Sequence, residues 1–327
     1  MTAFRAGRYD EMIYNRCGRW GLRLPAISLG AWQTYGGYVS AEVSRRCLFR
    51  AFNLGITYFD FANNYGEPNG NAETVCGRII REMPRDELVI ASKAGYRMWP
   101  GPYGEWLSRK SLLASIDQSL RRLGLDYVDI FYAHRPDPET PTDEVMDALD
   151  QIVRSGKALY VGLSNHGSDE IRAKQGDAIA RNLTRPIVSQ SRYSLLDRHV
   201  EAGELQACAE FGMGFVAFTP LAQGMLTNKY LESTPEDSRL ARSGDVSAKR
   251  LTDRGQIHRI RRLDELARRR GQTLAQLAIV WLLNQPGVTS VLIGASRPEQ
   301  IEENVRALSN RVLSPAERVE IDQILME

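Results

Sequence analysis

The stretch SAEVSRRCLFRAFNLGITYFD, residues 40–60, combines a helix, a stop and a strand in immediate succession. Ser40 is a suitable N-cap, and the apolar side chains that follow it recur at helical spacing. Gly55 ends this helix, and residues 56–59 form a β-branched and aromatic run that ends at Asp60. The order of helix, glycine, strand and polar residue predicts one unit of an α/β fold.

The same order recurs along the chain. Apolar helical faces over 112–123, 145–153 and 277–283 each lead through a glycine to a short strand. Eight strands are predicted in all, at residues 27–29, 56–59, 88–90, 127–133, 158–163, 187–188, 214–218 and 290–293. Nearly all of them are separated by helical segments, which implies a parallel sheet.

Eight such units in 327 residues favour a closed (β/α)8 TIM barrel, with a doubly wound open sheet as the alternative. We expect a single domain over residues 1–327, because no change in composition marks a linker. Residues 1–24 precede the first barrel strand and are expected to close the bottom of the barrel.

The composition excludes several classes of protein. Hydrophobic residues make up 43% and charged residues 25%, as in globular proteins, and the net charge of +2 argues against a nucleic-acid partner. The longest apolar run, 277–283, is too short to cross a membrane, and residues 1–11 lack the apolar core of a signal peptide. The four cysteines and four histidines show no metal-ligand spacing. We therefore expect a cytoplasmic protein without a metal.

Active sites of such barrels lie at the C-terminal ends of the strands, and here those ends are rich in polar residues. They are Trp32, Asp60, Lys93, His134, Ser164 with Asn165, Gln190, Thr219 and Ser296. The sequence GMGFVA at 212–217 fits a dinucleotide fingerprint, but it precedes a strand instead of following one, so we predict a helix stop and a turn.

Four residues near these ends suggest proton transfer to a reacting oxygen. The phenol of Tyr65 is a weak acid, and an ammonium such as Lys93 is expected to lower its pKa. A carboxylate such as Asp60 would orient the ammonium, and His134 would position the reacting oxygen.

The motifs that carry these residues resemble the aldo-keto reductase family. They are GITYFDFANNYG at 55–66, ASK at 91–93, YAHRPD at 132–137, TPLAQGMLTNKY at 219–230 and IGASRPEQ at 293–300. The likeness extends from about residue 22 to 310, and one position of the cofactor loop departs from the family in having Asn228 for Gly. Within the family, the chain is most similar to the branch of bacterial L-glyceraldehyde 3-phosphate reductases and β subunits of voltage-gated potassium channels.

The resemblance implies a (β/α)8 barrel that reduces small aldehydes with NADPH, such as methylglyoxal or L-glyceraldehyde 3-phosphate. Hydride would come from the nicotinamide and the proton from Tyr65, with Asp60, Lys93 and His134 completing a catalytic tetrad. The alternative is an NADPH-binding regulatory subunit with little turnover. His134 favours the enzyme, since the channel-subunit likeness has Asn in the matching position. The branch also suggests a homo-oligomer.

The resemblance further implies which residues bind NADP(H). Ser164, Asn165 and Gln190 would hold the carboxamide, the nicotinamide would stack on Tyr193, and Arg297 would favour NADPH by pairing with the 2′-phosphate. The full expected set is Trp32, Asp60, Ser164, Asn165, Gln190, Tyr193, Thr219, Leu221, Gln223, Gly224, Lys229, Ser296, Arg297, Gln300 and Asn304.

A substrate pocket is expected among aromatic residues on the loops above the barrel. Its expected residues are Trp32, Tyr65, Tyr96, Trp99 and His134. Arg97 is a candidate for binding a substrate phosphate. Residues 232–250 are polar and long enough for a lid over the cofactor, or for a disordered insertion.

Overall fold

The computed structural model of the chain describes residues 4–228 and 254–327. The predicted lid at 232–250 and the predicted cofactor residue Lys229 lie outside the described residues.

Eight parallel strands form a closed barrel. A two-stranded antiparallel hairpin, β1 (Tyr14–Arg16) and β2 (Arg23–Pro25), precedes it. The barrel strands are β3 (Ile27–Gly30), β4 (Tyr58–Asp60), β5 (Val89–Ala94), β6 (Val128–Ala133), β7 (Ala158–Ser164), β8 (Val188–Arg192), β9 (Gly214–Phe218) and β10 (Val288–Ile293). Strand β10 pairs with both β9 and β3, which closes the barrel. All eight predicted strands are confirmed, and the closure excludes the open sheet.

Helices connect the strands and cover the outside of the barrel. They are α1 (Ala41–Asn53), α2 (Asn71–Ile80), α3 (Arg109–Leu123), α4 (Thr142–Arg154), α5 (Ser168–Ala180), α6 (Glu204–Phe211), α7 (Arg254–Arg269), α8 (Leu274–Leu283), α9 (Pro298–Val305) and α10 (Pro315–Met326). Irregular turns span Thr34–Tyr38 and Ala222–Gly224, and short 3₁₀ turns span Arg85–Glu87, His199–Ala202 and Arg306–Asn310.

Local sequence signals define the helix ends as expected. The Ser40 side chain accepts a hydrogen bond from the Val43 amide at 3.2 Å, which caps α1. Gly212 adopts a left-handed conformation with φ of 66° directly after α6, immediately before β9. The sequence GMGFVA is therefore a helix stop, as predicted.

Side chains alternate between the interior of the barrel and the layer beneath the helices. Along β9, Val216 and Phe218 contact the interior cluster, whereas Phe215 and Ala217 belong to the outer layer. This alternation determines which residues at the strand ends can face a ligand above the barrel.

The N-terminal hairpin packs at the opposite end, where the strands begin. Asn15 Nδ2 donates to the Thr289 carbonyl at 2.9 Å, and Cys17 Sγ lies 3.5 Å from the Ile187 carbonyl. A Cβ on Gly18 would lie 2.2 Å from the Gly212 carbonyl oxygen, so the hairpin turn requires glycine there. In 4–228 and 254–327, no helix is long and apolar enough to span a bilayer.

Candidate active site

A buried ion pair lies inside the barrel at the ends of β4 and β5. Lys93 Nζ pairs with Asp60 Oδ2 and also donates to the Phe61 carbonyl at 2.8 Å. The two side chains are 0% and 1% exposed, so each charge depends on the other for compensation. Burial lowers the pKa of Lys93, and the Asp60 carboxylate opposes that shift.

The second oxygen of Asp60 is held by a buried hydrogen-bond network. Oδ1 accepts from Gln190 Nε2 at 2.9 Å and from the Tyr58 hydroxyl at 3.1 Å, and the Tyr58 and Tyr132 hydroxyls are 3.0 Å apart. Both oxygens of the carboxylate are therefore satisfied without water. The phenols of Tyr58 and Tyr132 have strongly raised pKa values, because burial disfavours their anions.

Tyr65 and His134 face each other beside this pair. The Tyr65 hydroxyl lies 3.5 Å from His134 Nε2, and Lys93 Nζ lies 5.2 Å from the centre of the Tyr65 ring. His134 Nδ1 is buried and has no hydrogen-bond partner among the described residues. The structure thus brings together all four members of the predicted tetrad.

The expected lowering of the Tyr65 pKa is wrong for this structure. Burial, and then the negative charge of Asp60, raise the pKa of the phenol well above 10. Lys93 does not offset these effects, because its charge is paired with Asp60. Tyr65 therefore keeps its proton at all ordinary pH values, as a proton donor must until the reaction removes it.

His134 is held neutral by its surroundings. Burial lowers the pKa of the imidazole well below 6.5, and the positive charges of Lys93 and Arg135 lower it further. A neutral ring can accept or donate a hydrogen bond without adding charge near the reacting oxygen.

The residues expected to hold a carboxamide lie together across β7 and β8. Ser164 ends β7, and Asn165 has a left-handed φ of 59°, with Nδ2 donating to the His134 carbonyl and to Ser164 Oγ. Gln190 lies within β8, two residues before its end, and its Nε2 contacts Asp60 and Tyr58. The Gln190 amide therefore supports the ion pair.

The position of Tyr193 does not agree with the expectation that its ring stacks on the nicotinamide. It is fully buried in the outer layer, where its hydroxyl donates to Glu201 and its ring meets the edges of Phe215 and Trp281. The physical reason is alternation, since Gln190 points inward and Tyr193 lies three positions further on. Phe218, at the end of β9, has its ring on the interior side of the barrel instead. The alternation of side chains along β9 could have indicated it as the aromatic residue that faces a ligand.

The loop after β9 has an unusual backbone. Thr219, Ala222 and Gln223 have φ of 57°, 46° and 60°. A left-handed conformation is an outlier for a β-branched residue such as Thr219, and such strain is typical of ligand-binding loops. Leu221 and Gly224, both half-buried, complete the expected contacts in this segment, and Asn228 is exposed at its end.

The residues expected to contact adenosine surround the start of α9. Gln300 Oε1 accepts from the Ser296 amide at 2.8 Å, which fixes the turn before the helix. Arg297 is exposed at the N-cap position, and Asn304 is buried one helical turn beyond Gln300. The exposed guanidinium and the positive end of the helix dipole together suit a phosphate group.

The loop after β5 supplies the expected aromatic wall only in part. The Tyr96 ring contacts His134 with centroids 4.6 Å apart. The Arg135 guanidinium stacks on Trp106 at 3.8 Å and on Tyr96 at 4.4 Å, so Trp106, one of the loop aromatics expected to form this wall, lies beside Tyr96. Trp32 and Trp99 are 41% and 37% exposed. Arg97 is exposed on the same loop.

A second buried histidine makes the stability of the fold dependent on pH. Burial lowers the pKa of His166 from 6.5 to about 3, and its Nδ1 donates to the Ser164 carbonyl at 2.8 Å. The unfolded chain binds this proton below pH 6.5 and the folded chain does not, so stability falls as the pH drops from 6.5 towards 3. At pH 5 this histidine alone costs roughly 2 kcal/mol.

We therefore expect His166→Asn to flatten the dependence of the free energy of unfolding on pH between 7 and 5, as measured by urea denaturation. His199→Asn is the contrasting variant, because the His199 side chain is exposed and pairs with Asp197 at 2.7 Å, so its loss should not remove the fall in stability that His166 causes. An unchanged slope in His166→Asn would contradict the lowered pKa, because it would show that this histidine binds its proton equally in the folded and unfolded protein.

The barrel and its buried tetrad are typical of a carbonyl-reducing oxidoreductase, and comparison with known proteins agrees with this class. The aldo/keto reductase family model matches residues 26–326, and the chain belongs to this family. It is 52% identical over 324 residues to an L-glyceraldehyde 3-phosphate reductase of Escherichia coli O157:H7, which covers 97% of this chain and 93% of the relative. The corresponding protein of strain K12 is 51% identical with the same coverage.

A second kind of relative matches the same barrel. A putative voltage-gated potassium channel subunit beta of Schizosaccharomyces pombe is 41% identical over 321 residues, covering 94% of this chain and 92% of the relative. The predicted family and branch are thereby confirmed. The chain is an oxidoreductase that acts on aldehydes.

Proposed function

We propose that this protein reduces small aldehydes with NADPH, and that Tyr65 donates the proton. The observation that carries the proposal is the buried tetrad, in which Tyr65 lies against neutral His134 and above the Lys93–Asp60 pair. The high identity to L-glyceraldehyde 3-phosphate reductases makes that aldehyde the first proposed substrate. Methylglyoxal, another small aldehyde, is the second.

The residues present fit a nicotinamide dinucleotide. The strained backbone at Thr219, Ala222 and Gln223 suits a pyrophosphate, and exposed Arg297 at the start of α9 suits a 2′-phosphate. Ser164 and Asn165 offer polar groups for the carboxamide beside His134. When bound, the reduced nicotinamide supplies a hydride to the carbonyl carbon.

The protein's own groups serve the carbonyl oxygen. His134 orients that oxygen through its neutral ring, and the Tyr65 hydroxyl gives it a proton as negative charge develops there. The resulting tyrosinate is stabilised by the nearby Lys93 ammonium, which Asp60 holds in place. Proton uptake from water restores Tyr65, so the aldehyde gains one hydride and one proton in each cycle.

The test is the loss of reduced-nicotinamide absorbance with L-glyceraldehyde 3-phosphate or methylglyoxal, with NADPH and NADH run separately. Turnover with NADPH supports the proposed enzyme. Tight binding of NADPH without reduction of any aldehyde in a broad panel would favour a cofactor-binding regulatory subunit, in keeping with the names of the channel-subunit relatives.

Arg297→Gln tests the cofactor preference. A guanidinium that pairs with the 2′-phosphate contributes about 1.5–3 kcal/mol, so the variant should bind NADPH roughly 10- to 150-fold more weakly. The Kd for NADH, measured by fluorescence titration, should stay within about twofold of the wild type because that cofactor lacks the phosphate. Equal weakening of both cofactors would contradict the assignment.

A further inference from the structure

A basic cavity lies on the outside of the barrel, between α2 and α3. Its volume is about 440 Å³, and it is lined by Thr74, Arg78, Arg81, Gln118, Arg121, Arg122 and Gly124. Four guanidinium groups thus surround one cavity in a protein whose net charge is only +2. None of these residues belongs to the proposed active site.

The positive charge of this cavity is only partly neutralised. Arg122 pairs with the buried carboxylate of Glu73, and within the described residues no carboxylate pairs with Arg78, Arg81 or Arg121. The C-terminal ends of α2 and α3 lie here as well, and each contributes about half a negative charge. Four guanidinium groups, one carboxylate and two helix ends leave a net charge of about +2, so helix capping does not account for all the arginines.

Two of the four guanidinium groups are already fixed in place. Arg122 Nε donates to Glu73 Oε2 at 2.7 Å, and its Nη2 donates to Ser119 Oγ at 3.3 Å. Arg81 Nε donates to the Gly77 carbonyl at 3.2 Å. Because hydrogen bonds within the protein already hold these side chains, an anion that binds between them loses less affinity to side-chain ordering.

We propose that this cavity is a binding site for a small anion that carries two or more phosphate groups. Arginine presents paired N–H donors that match two oxygens of a phosphate. The volume is within the range of small-molecule sites and leaves room for more than a single phosphate. The site is independent of the proposed aldehyde reduction, so either proposal can fail without the other.

Isothermal titration calorimetry with inorganic pyrophosphate tests the site at constant ionic strength. The informative variant is Arg78→Gln/Arg121→Gln, because neither side chain makes a hydrogen bond or ion pair within residues 4–228 and 254–327, and both are exposed. Arg311→Gln is the matched control, since Arg311 is an exposed arginine far along the chain, outside the cavity. Unliganded melting temperatures identify any variant that is not folded, and the single Arg78→Gln substitution then replaces the double variant.

We expect the double variant to raise the Kd of one pyrophosphate site at least tenfold, whereas Arg311→Gln leaves it unchanged. Any pyrophosphate that binds in the cofactor region remains in all three proteins and is distinguished in this way. The proposal is overturned if the wild type shows no site that depends on Arg78 and Arg121. It is also overturned if orthophosphate binds there as tightly as pyrophosphate, because the site then does not select for a second phosphate group.

Discussion

Tyr65→Phe is expected to lower kcat for aldehyde reduction by about 10²- to 10⁴-fold, because it removes the proposed proton donor and keeps the ring. The Kd for NADPH should stay within about twofold, since the hydroxyl faces His134 and the position of the carbonyl oxygen. Steady-state kinetics with L-glyceraldehyde 3-phosphate and a separate cofactor titration measure the two effects.

Tyr127→Phe is the matched control for this experiment. Tyr127 lies just before β6, at the opposite end of the barrel, with its ring under the Arg85 guanidinium at 4.1 Å. It should keep the kcat of the wild type. If Tyr65→Phe also kept it, the proton would have to come from another group, and the proposed role of Tyr65 would be wrong.

Lys93→Met is expected to lower the free energy of unfolding by about 3–5 kcal/mol, because it leaves the buried Asp60 carboxylate without its cation. The hydrogen bonds from Tyr58 and Gln190 persist but cannot replace a full positive charge. The double variant Asp60→Asn/Lys93→Met removes both charges and should recover most of the loss. Urea denaturation followed by circular dichroism measures all three proteins.

Lys174→Met provides the control for losing a buried lysine. Lys174 is 6% exposed, and among the described residues it has no carboxylate within ion-pair distance. Burial lowers the pKa of this lysine, so replacing it by an apolar side chain should be neutral or stabilising. Equal losses in Lys93→Met and the double variant would show that the charge of Asp60 is not what the lysine compensates.

The regular part of the fold could be predicted because each unit carries its own signals. Ser40 caps α1 through the expected hydrogen bond, and Gly212 ends α6 as predicted. The eight strands alternate with helices, which is sufficient to specify a parallel barrel. The tetrad followed from motif resemblance, since Asp60 and Tyr65 are near in sequence but Lys93 and His134 come from two further strands.

Other features of the site depend on three-dimensional packing, which the order of residues along the chain does not indicate. The contact between Gln190 and Asp60 joins β8 to β4 across the interior of the barrel, and no spacing in the sequence indicates it. The raised pKa of Tyr65 follows from burial, which exceeds the effect of a lysine whose charge is already paired. Tyr193 lies in the outer layer because it is an odd number of positions from inward-facing Gln190, which the motif alone does not indicate.

Strand β5 carries two polar networks back to back. Lys93 joins Asp60 inside the barrel, while its neighbour Ser92 donates to Glu73 Oε1 at 2.5 Å on the outside, and Glu73 in turn holds Arg122. The outer network therefore limits which side chains α3 can carry at this position without exposing the buried Glu73 carboxylate to loss of its cation. Arg122 is a partly exposed helix residue. Replacing it would disturb the buried Glu73 carboxylate, which contacts the strand that carries Lys93.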